Sequence, residues 1–326
     1  MTTPTPGLPY HRLDHATGRH RWWRPPTGAL LFFVTYVLAV LVLVAGSYVF
    51  GLAAGLPETA DGDPDLGPLG QTAVDLVSLA VALPLVLLVV LWPGRRPVGT
   101  VSSVTGRLRA GWLARCLPVA LLPVLLLTAT AFLLPGPEGD GGSDTWVGWR
   151  SFLLSMTVLV LLVPFQAAAE EYVFRGWLTQ AVGAFVRSPW IALLPQALLF
   201  AAAHGWGTPW GFTGLLVNGL VAGWLTVRTG GLEAAVALHV MNNLFAFGAS
   251  AAIVGGLSSE ETAADMPWQL TLVSVAADLL YAALVLRLAR RHRPQRLAPP
   301  PVPPAPPLPP VPPPYPAAPT AWRPAP

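Results

Sequence analysis

The run AEEYVFR at residues 169–175 places two adjacent carboxylates and an arginine inside a long apolar stretch of the chain. Two further motifs follow on later apolar stretches, FAAAH at 200–204 and HVMNN at 239–243. Ionisable side chains are costly within hydrocarbon-length segments, so they mark a functional site by default. Of the six histidines, only His204 and His239 lie in apolar segments. The three motifs therefore predict a polar site inside a membrane-spanning protein.

The composition supports the same class of protein. The chain is 53% hydrophobic and 11% charged, and its mean hydropathy is +0.56. Soluble domains are about one-quarter charged, so these values predict an integral membrane protein with the lipid bilayer as its main partner. The formal net charge is only +3 and the basic residues lie in loops, which excludes a nucleic-acid partner. A lone cysteine, Cys116, excludes a disulfide framework.

Apolar segments long enough to cross a bilayer recur along the chain. We place them at 29–52, 73–92, 111–134, 149–169, 190–204, 210–227, 232–254 and 268–286, and the fifth is short. Arginine-rich loops alternate with acidic loops between these segments, so the positive-inside rule places both termini in the cytoplasm. The prediction is an all-α, polytopic protein of the cell membrane, with about eight transmembrane helices and an intramembrane catalytic cavity.

The sequence divides into five predicted regions. They are a loosely ordered cytoplasmic arm (1–27), three transmembrane helices (28–145), a catalytic transmembrane core (146–254), a last transmembrane helix (255–292) and a Pro-rich cytoplasmic tail (293–326). Proline has no backbone donor and favours polyproline II, so we expect the tail to be extended and disordered.

Helical geometry assigns different tasks to the two glutamates. Residues four apart share a helix face, so Glu171 is expected to pair with Arg175. Glu170 lies about 100° round the helix and is left free for proton transfer. Phe200 and His204 are again four apart, as are His239 and Asn243. Each of the three helices is thus predicted to present one functional face.

A glutamate, two histidines and an asparagine suit water-dependent cleavage of an amide. Glu170, helped by His204, would take a proton from water, while His239 and Asn243 would donate to the developing oxyanion. Glu170, His204 and His239 could instead bind zinc, since a glutamate and two histidines form a known zinc ligand set. The two-histidine helix spacing of common zinc peptidases is missing, which favours an interpretation that requires no cofactor.

The motifs Glu-Glu-x-x-x-Arg, Phe-x-x-x-His and His-x-x-x-Asn, in this order, resemble those of the CPBP (CAAX protease and bacteriocin-processing, Abi) family of intramembrane proteases. The resemblance covers residues 151–247. It implies an endopeptidase acting on a membrane-associated peptide or protein, with Glu170 and His204 activating water and His239 and Asn243 forming the oxyanion hole. Members of the family are often labelled metalloproteases, although the glutamate is also argued to act without metal.

Two other functions are compatible with the same motifs. The chain could be a non-proteolytic immunity or assembly factor built on a protease-like fold. It could also be a proton-coupled transporter, since glutamate and histidine chains serve as proton relays.

Polar residues elsewhere in the apolar segments are predicted to be structural. We expect Asp278 to pair with Arg115, Asn218 to hydrogen-bond between helices, and Glu233 and Asp75 to reach the interface.

The fourth span poses a problem of length. A single helix over 151–187 would be about 55 Å long, which predicts a bend near Gly176 or Gly183. For Glu170 to meet His204, its helix must also lie deeper than hydropathy suggests.

Overall fold

The computed structural model describes residues 7–133, 145–259 and 261–299, and all the regular elements in these ranges are helical. The α-helices are α1 Arg24–Ala54, α2 Gly67–Ala80, α3 Ala82–Leu91, α4 Gly99–Ser102, α5 Ala110–Leu133, α6 Trp149–Glu171, α7 Thr179–Gly183, α8 Pro189–Ala203, α9 Pro209–Thr229, α10 Glu233–Ala251 and α11 Trp268–His292. A π-helix, Tyr172–Leu178, joins α6 to α7. Short 3₁₀ helices form at Tyr10–His15, Gly256–Ser258 and Ala263–Asp265.

Seven helical segments in the described ranges are long and apolar enough to cross a membrane. Two of them are composite: α2 and α3 form one segment, and α6, the π-helix and α7 form another of 35 residues. The fifth predicted span corresponds to α8, which has only 15 residues. The prediction of an all-α, polytopic membrane protein is confirmed.

Helix α10 lies at the centre of the packing. It contacts α5, α6 and α9, while α11 packs on α5 and α9, and α8 packs on α9. Helix α1 is peripheral, contacting α2 and α3, and buries only Pro25, Gly28 and Gly51. This arrangement places the α10 motif between the carboxylates of α6 and the α8–α9 hairpin.

We predicted a bend near Gly176 or Gly183 in the long helix that contains Glu170. The helix is not interrupted at Gly176, and it ends at Gly183. It continues through the seven-residue π-helix. Gly176 instead allows a close helix contact, because a Cβ there would lie 2.5 Å from the Val101 side chain. The helix ends at Gly183, where a Cβ would lie 1.9 Å from the carbonyl oxygen of His11.

This continuation explains how the first two motifs reach each other. Glu170 precedes the end of the helix at Gly183 by about 20 Å at ~1.5 Å per residue. His204 directly follows α8, which starts at Pro189 and is about 22 Å long at the same rise. Since α7 and α8 are adjacent and pack together, the two side chains come to the same level.

Within the described part of the N-terminal arm, residues 10–15 are well packed, so the expectation of a loosely ordered arm is wrong for this segment. Residues Tyr10–His15 form a 3₁₀ helix, and Tyr10 is fully buried with its hydroxyl donating to the carbonyl of Val101. Arg12 donates from Nη1 to the carbonyl oxygens of Gly183 and Val186, at 2.9 and 3.0 Å. The arm therefore caps the end of the long helix, and α1 begins after it at Arg24.

Two further contacts hold the arm in place. The imidazole Nε2 of His11 lies 3.0 Å from the carbonyl oxygen of Arg187, and burial lowers the pKa of this histidine. The backbone N–H of Ala298 donates to the carbonyl of Leu8 at 2.8 Å, which joins the arm to the segment after α11. The rest of the predicted Pro-rich tail, 300–326, lies outside the described residues.

Tyr10→Ala should lower the free energy of unfolding by about 3–5 kcal/mol, the usual cost of truncating a buried aromatic side chain. Thermal unfolding in detergent or nanodiscs measures the effect. Tyr48→Ala, at a tyrosine that is 43% exposed, is the matched control. Equal shifts for the two variants would contradict the buried position of the arm.

Candidate active site

The two adjacent glutamates end α6, and one of them makes the predicted ion pair. Arg175 Nη1 lies 3.0 Å from Glu171 Oε1, and both side chains are buried, with 0% and 1% of their surface exposed. The guanidinium also lies 3.7 Å from the centroid of the Phe200 ring. The arginine is thus fixed by a carboxylate and by an aromatic face.

His239 on α10 lies between the two carboxylates. Its Nδ1 is 2.7 Å from Glu171 Oε1, and its Nε2 is 3.8 Å from Glu170 Oε2. A carboxylate accepts hydrogen bonds only, so Nδ1 carries the proton and donates. In the neutral ring Nε2 then accepts, and in the imidazolium it donates. The contact between His239 and Glu171 was not predicted, because it depends on how α6 and α10 pack.

His204 is held by the last turn of α8. Its Nδ1 is 2.8 Å from the carbonyl oxygen of Phe200, which accepts and so fixes Nδ1 as the donor. Nε2 is therefore the free nitrogen of the neutral ring. The Phe200 ring lies 4.5 Å from the His204 ring and 6.0 Å from the His239 ring, centroid to centroid. Phe200 thus packs against both histidines and the arginine.

Glu170 and Asn243 are connected through Gln166. Gln166 Nε2 donates to Glu170 Oε1 at 2.5 Å, and Asn243 Nδ2 donates to Gln166 Oε1 at 3.0 Å. Sequence reasoning missed Gln166, although its position four residues before Glu170 places it on the same helix face.

A cavity of about 50 Å³ lies beside these groups. It is lined by Glu171, Phe200, His204, Leu215, Asn218, Ala222, Ala235, Leu238, His239, Asn242, Asn243 and Ala263. Glu170 is not part of this lining, but its Oε2 lies 3.8 Å from Nε2 of His239, which is part of the lining. Because one water occupies about 30 Å³ of liquid, the cavity has room for water but not for a peptide.

Asn218 on α9 makes the predicted hydrogen bonds between helices. Its Oδ1 accepts from Arg175 Nη2 at 3.3 Å, and its Nδ2 donates to both oxygens of Asp278 at 3.1 and 3.2 Å. The predicted pair between Asp278 and Arg115 is wrong. Arg115 is exposed and donates to the carbonyl of Gly111, while Asp278 is only 5% exposed and faces the site.

We expected Glu233 to reach the membrane interface, but it is buried inside the protein. It is 0% exposed, and Arg109 binds it through Nη2 at 2.7 Å and Nε at 2.9 Å. This ion pair joins the loop before α5 to the start of α10. Glu233 does lie near the end of an apolar segment, as predicted, but the loop that contains Arg109 covers it.

Asn218→Leu should lower the free energy of unfolding by about 1–3 kcal/mol, because it leaves the buried Asp278 carboxylate without its donor. Denaturant unfolding measures the loss. The double variant Asn218→Leu with Asp278→Leu should recover part of the stability. Additive losses would show that Asn218 and Asp278 do not interact.

In the described ranges, no three His, Cys, Asp or Glu side chains form a group that could hold a metal ion. The alternative zinc ligands Glu170, His204 and His239 therefore do not form a ligand set in this arrangement.

Comparison with known proteins identifies the central segment. Residues 149–245 match the family described as type II CAAX prenyl endopeptidase Rce1-like, and this range contains all three motifs. The resemblance to the CPBP (Abi) family is thereby confirmed over these residues. The chain is also 28% identical to the uncharacterized protein YyaK of Bacillus subtilis (strain 168), over 77% of this chain and 90% of that protein. No solved structure matches the chain.

Proposed function

Because this multi-pass membrane protein has an Rce1-like segment at 149–245, we propose that it is an intramembrane endopeptidase that hydrolyses a peptide bond of a membrane-associated substrate. One observation carries the proposal. Glu170, His204, His239 and Asn243 come from three separate helical regions and lie close together. His204, His239 and Asn243 line one small cavity. Glu170 lies 3.8 Å from His239 and is joined to Asn243 through Gln166, and Phe200 packs against both histidine rings.

Glu170 and His204 are the proposed proton acceptors. Glu170 Oε2 receives no protein hydrogen bond in the described residues, and its distance of 3.8 Å from His239 Nε2 is too long for a direct one. A single water can bond to both atoms across such a gap. His204 offers a second acceptor at Nε2, because its Nδ1 is already bonded to a carbonyl.

Asn243 and His239 are the proposed oxyanion donors. The Asn243 amide has two N–H groups, of which one donates to Gln166 and the other remains for an oxyanion. His239 adds a second donor from Nε2 when its ring carries both protons. Fixed donors in a dry site contribute most where negative charge develops.

The proposed reaction needs no other reactant than water. Glu170 takes a proton as the water oxygen attacks the carbonyl carbon of the peptide. The tetrahedral intermediate then collapses, its C–N bond breaks, and the leaving amine takes the proton that the enzyme holds. The site is regenerated when both products leave.

Substrate entry requires movement of the helices around the cavity, since about 50 Å³ cannot hold a peptide.

We propose that the protein is located in the cell membrane. The positive-inside pattern of the loops supports a cytoplasmic location for both termini.

Cleavage of a quenched peptide library by the purified protein in proteoliposomes tests the proposal. We expect cleavage by the wild type, loss of cleavage in His204→Ala, and full activity in His292→Ala, whose histidine is exposed at the end of α11. Each sample is measured with and without a strong chelator. Activity that survives chelation supports water activation by Glu170, and loss that zinc restores would assign the site to a metal. No cleavage of soluble or membrane-anchored peptides would overturn the proposal and favour an immunity or assembly factor.

A further inference from the structure

Gln166 bonds to two of the proposed catalytic side chains at once. It lies on α6, one turn before Glu170, and only 3% of its surface is exposed. One end of its side-chain amide contacts Glu170 and the other contacts Asn243. It therefore connects the proposed proton acceptor with a proposed oxyanion donor.

The direction of these hydrogen bonds follows from the chemistry of the groups. A carboxylate can only accept, so the Gln166 atom that touches Glu170 must be its NH₂ group. The carbonyl oxygen of Gln166 then faces Asn243, and this oxygen can only accept. Asn243 must therefore present its own NH₂ group. The charge on Glu170 sets the orientation of both amides.

We propose that Gln166 is a positioning residue, an inference that rests on the proposed peptidase function. By binding Glu170 Oε1 it leaves Oε2 directed toward His239. By accepting from Asn243 it keeps that amide from turning its oxygen toward the cavity, where the oxygen would repel an oxyanion. One side chain thus orients the groups that act on the two reactants.

A second buried glutamine shows what a purely structural role looks like. Gln196 on α8 is 0% exposed and donates to the carbonyl of Gly219 at 2.9 Å. It joins α8 to α9 and contacts none of the proposed catalytic side chains through a hydrogen bond in the described residues. Replacing either glutamine by methionine keeps the side-chain volume and removes the hydrogen bonds.

Gln166→Met should lower kcat about 10- to 100-fold, as expected for loss of a hydrogen bond to a charged group. KM should change less than about 3-fold, because Gln166 does not line the cavity that faces the substrate. Gln196→Met should lower the melting temperature but keep kcat per folded molecule. An unchanged kcat in Gln166→Met, or equal losses in both variants, would overturn the inference.

A second measurement does not depend on cleavage. Glu170→Ala and Asn243→Ala alter residues that share no hydrogen bond with each other in the described structure, and Gln166 bonds to both. The part of their coupling that is lost in the Gln166→Met background therefore passes through Gln166. We expect their effects on unfolding to be non-additive in the wild-type background and additive in Gln166→Met. If the wild type cleaves no peptide, the peptidase proposal fails and this cycle alone decides the role of Gln166. Additive effects in the wild-type background would overturn that role.

Discussion

Replacing Glu170 by glutamine is expected to lower kcat/KM for peptide cleavage by about 10²- to 10⁴-fold, the usual range for a general base. The amide has nearly the same shape as the carboxylate but cannot take a proton from water. Glu170 suits this role better than Glu171, because both Arg175 and His239 already bind Glu171. Both of these donors bind Glu171 Oε1, and Glu171 Oε2, which has no donor in the described residues, is buried beside the same arginine.

The measurement compares initial rates for wild type, Glu170→Gln and Glu58→Gln, after correction for the folded fraction of each. Glu58 is an exposed loop glutamate, and its variant should keep full activity. If Glu170→Gln retained more than about a tenth of the wild-type rate, Glu170 would not be the general base.

Replacing Arg175 by methionine is expected to lower the free energy of unfolding by about 3–5 kcal/mol, because Glu171 would remain charged, buried and without its main partner. Arg175 is the largest fully buried side chain described, and its guanidinium contacts Glu171, Asn218 and the Phe200 ring. Activity should fall as well, since Glu171 also orients His239.

Chemical unfolding in mixed micelles measures this loss. Arg150→Met, at an exposed position on the first turn of α6, is the matched control and should change stability little. The double variant Glu171→Gln with Arg175→Met removes both charges and should be more stable than Arg175→Met alone. A double variant that is less stable than either single variant would show that the pair is not a buried ion pair.

Contacts within one helix could be predicted from the sequence. The Glu171–Arg175 pair and the common faces of Phe200 with His204 follow directly from the four-residue spacing. The partners of contacts across helices could not be predicted, because the register between helices such as α6 and α10 depends on side-chain packing. The bond from His239 to Glu171 is of this second kind.

Two roles of neutral amides were not predicted: the contacts of Gln166, and the pairing of Asn218 with Asp278. Charges stand out in an apolar sequence, so Asp278 was paired with a charged partner, Arg115. In the structure Asp278 instead pairs with the uncharged Asn218, because Arg115 lies at the surface.

The packing of the N-terminal arm could not be predicted from the sequence either. Its six-residue 3₁₀ helix is too short to show a periodic pattern, and its partners lie some ninety or more residues away in the chain.

The π-helix at Tyr172–Leu178 changes the direction in which side chains point from one end of the long helix to the other. In a π-helix each N–H bonds to the carbonyl five residues back, so successive side chains advance by a smaller angle than in an α-helix. Residues before it direct the carboxylates toward α10, while Gln180 beyond it bonds to Arg96. The seven-residue π-helix therefore sets the angle, about the helix axis, between the side chains of the candidate active site and the side chains at the end that contacts the N-terminal arm. A one-residue insertion or deletion after Arg175 in this segment would rotate one surface relative to the other, while Glu170, Glu171 and Arg175 would keep their spacing.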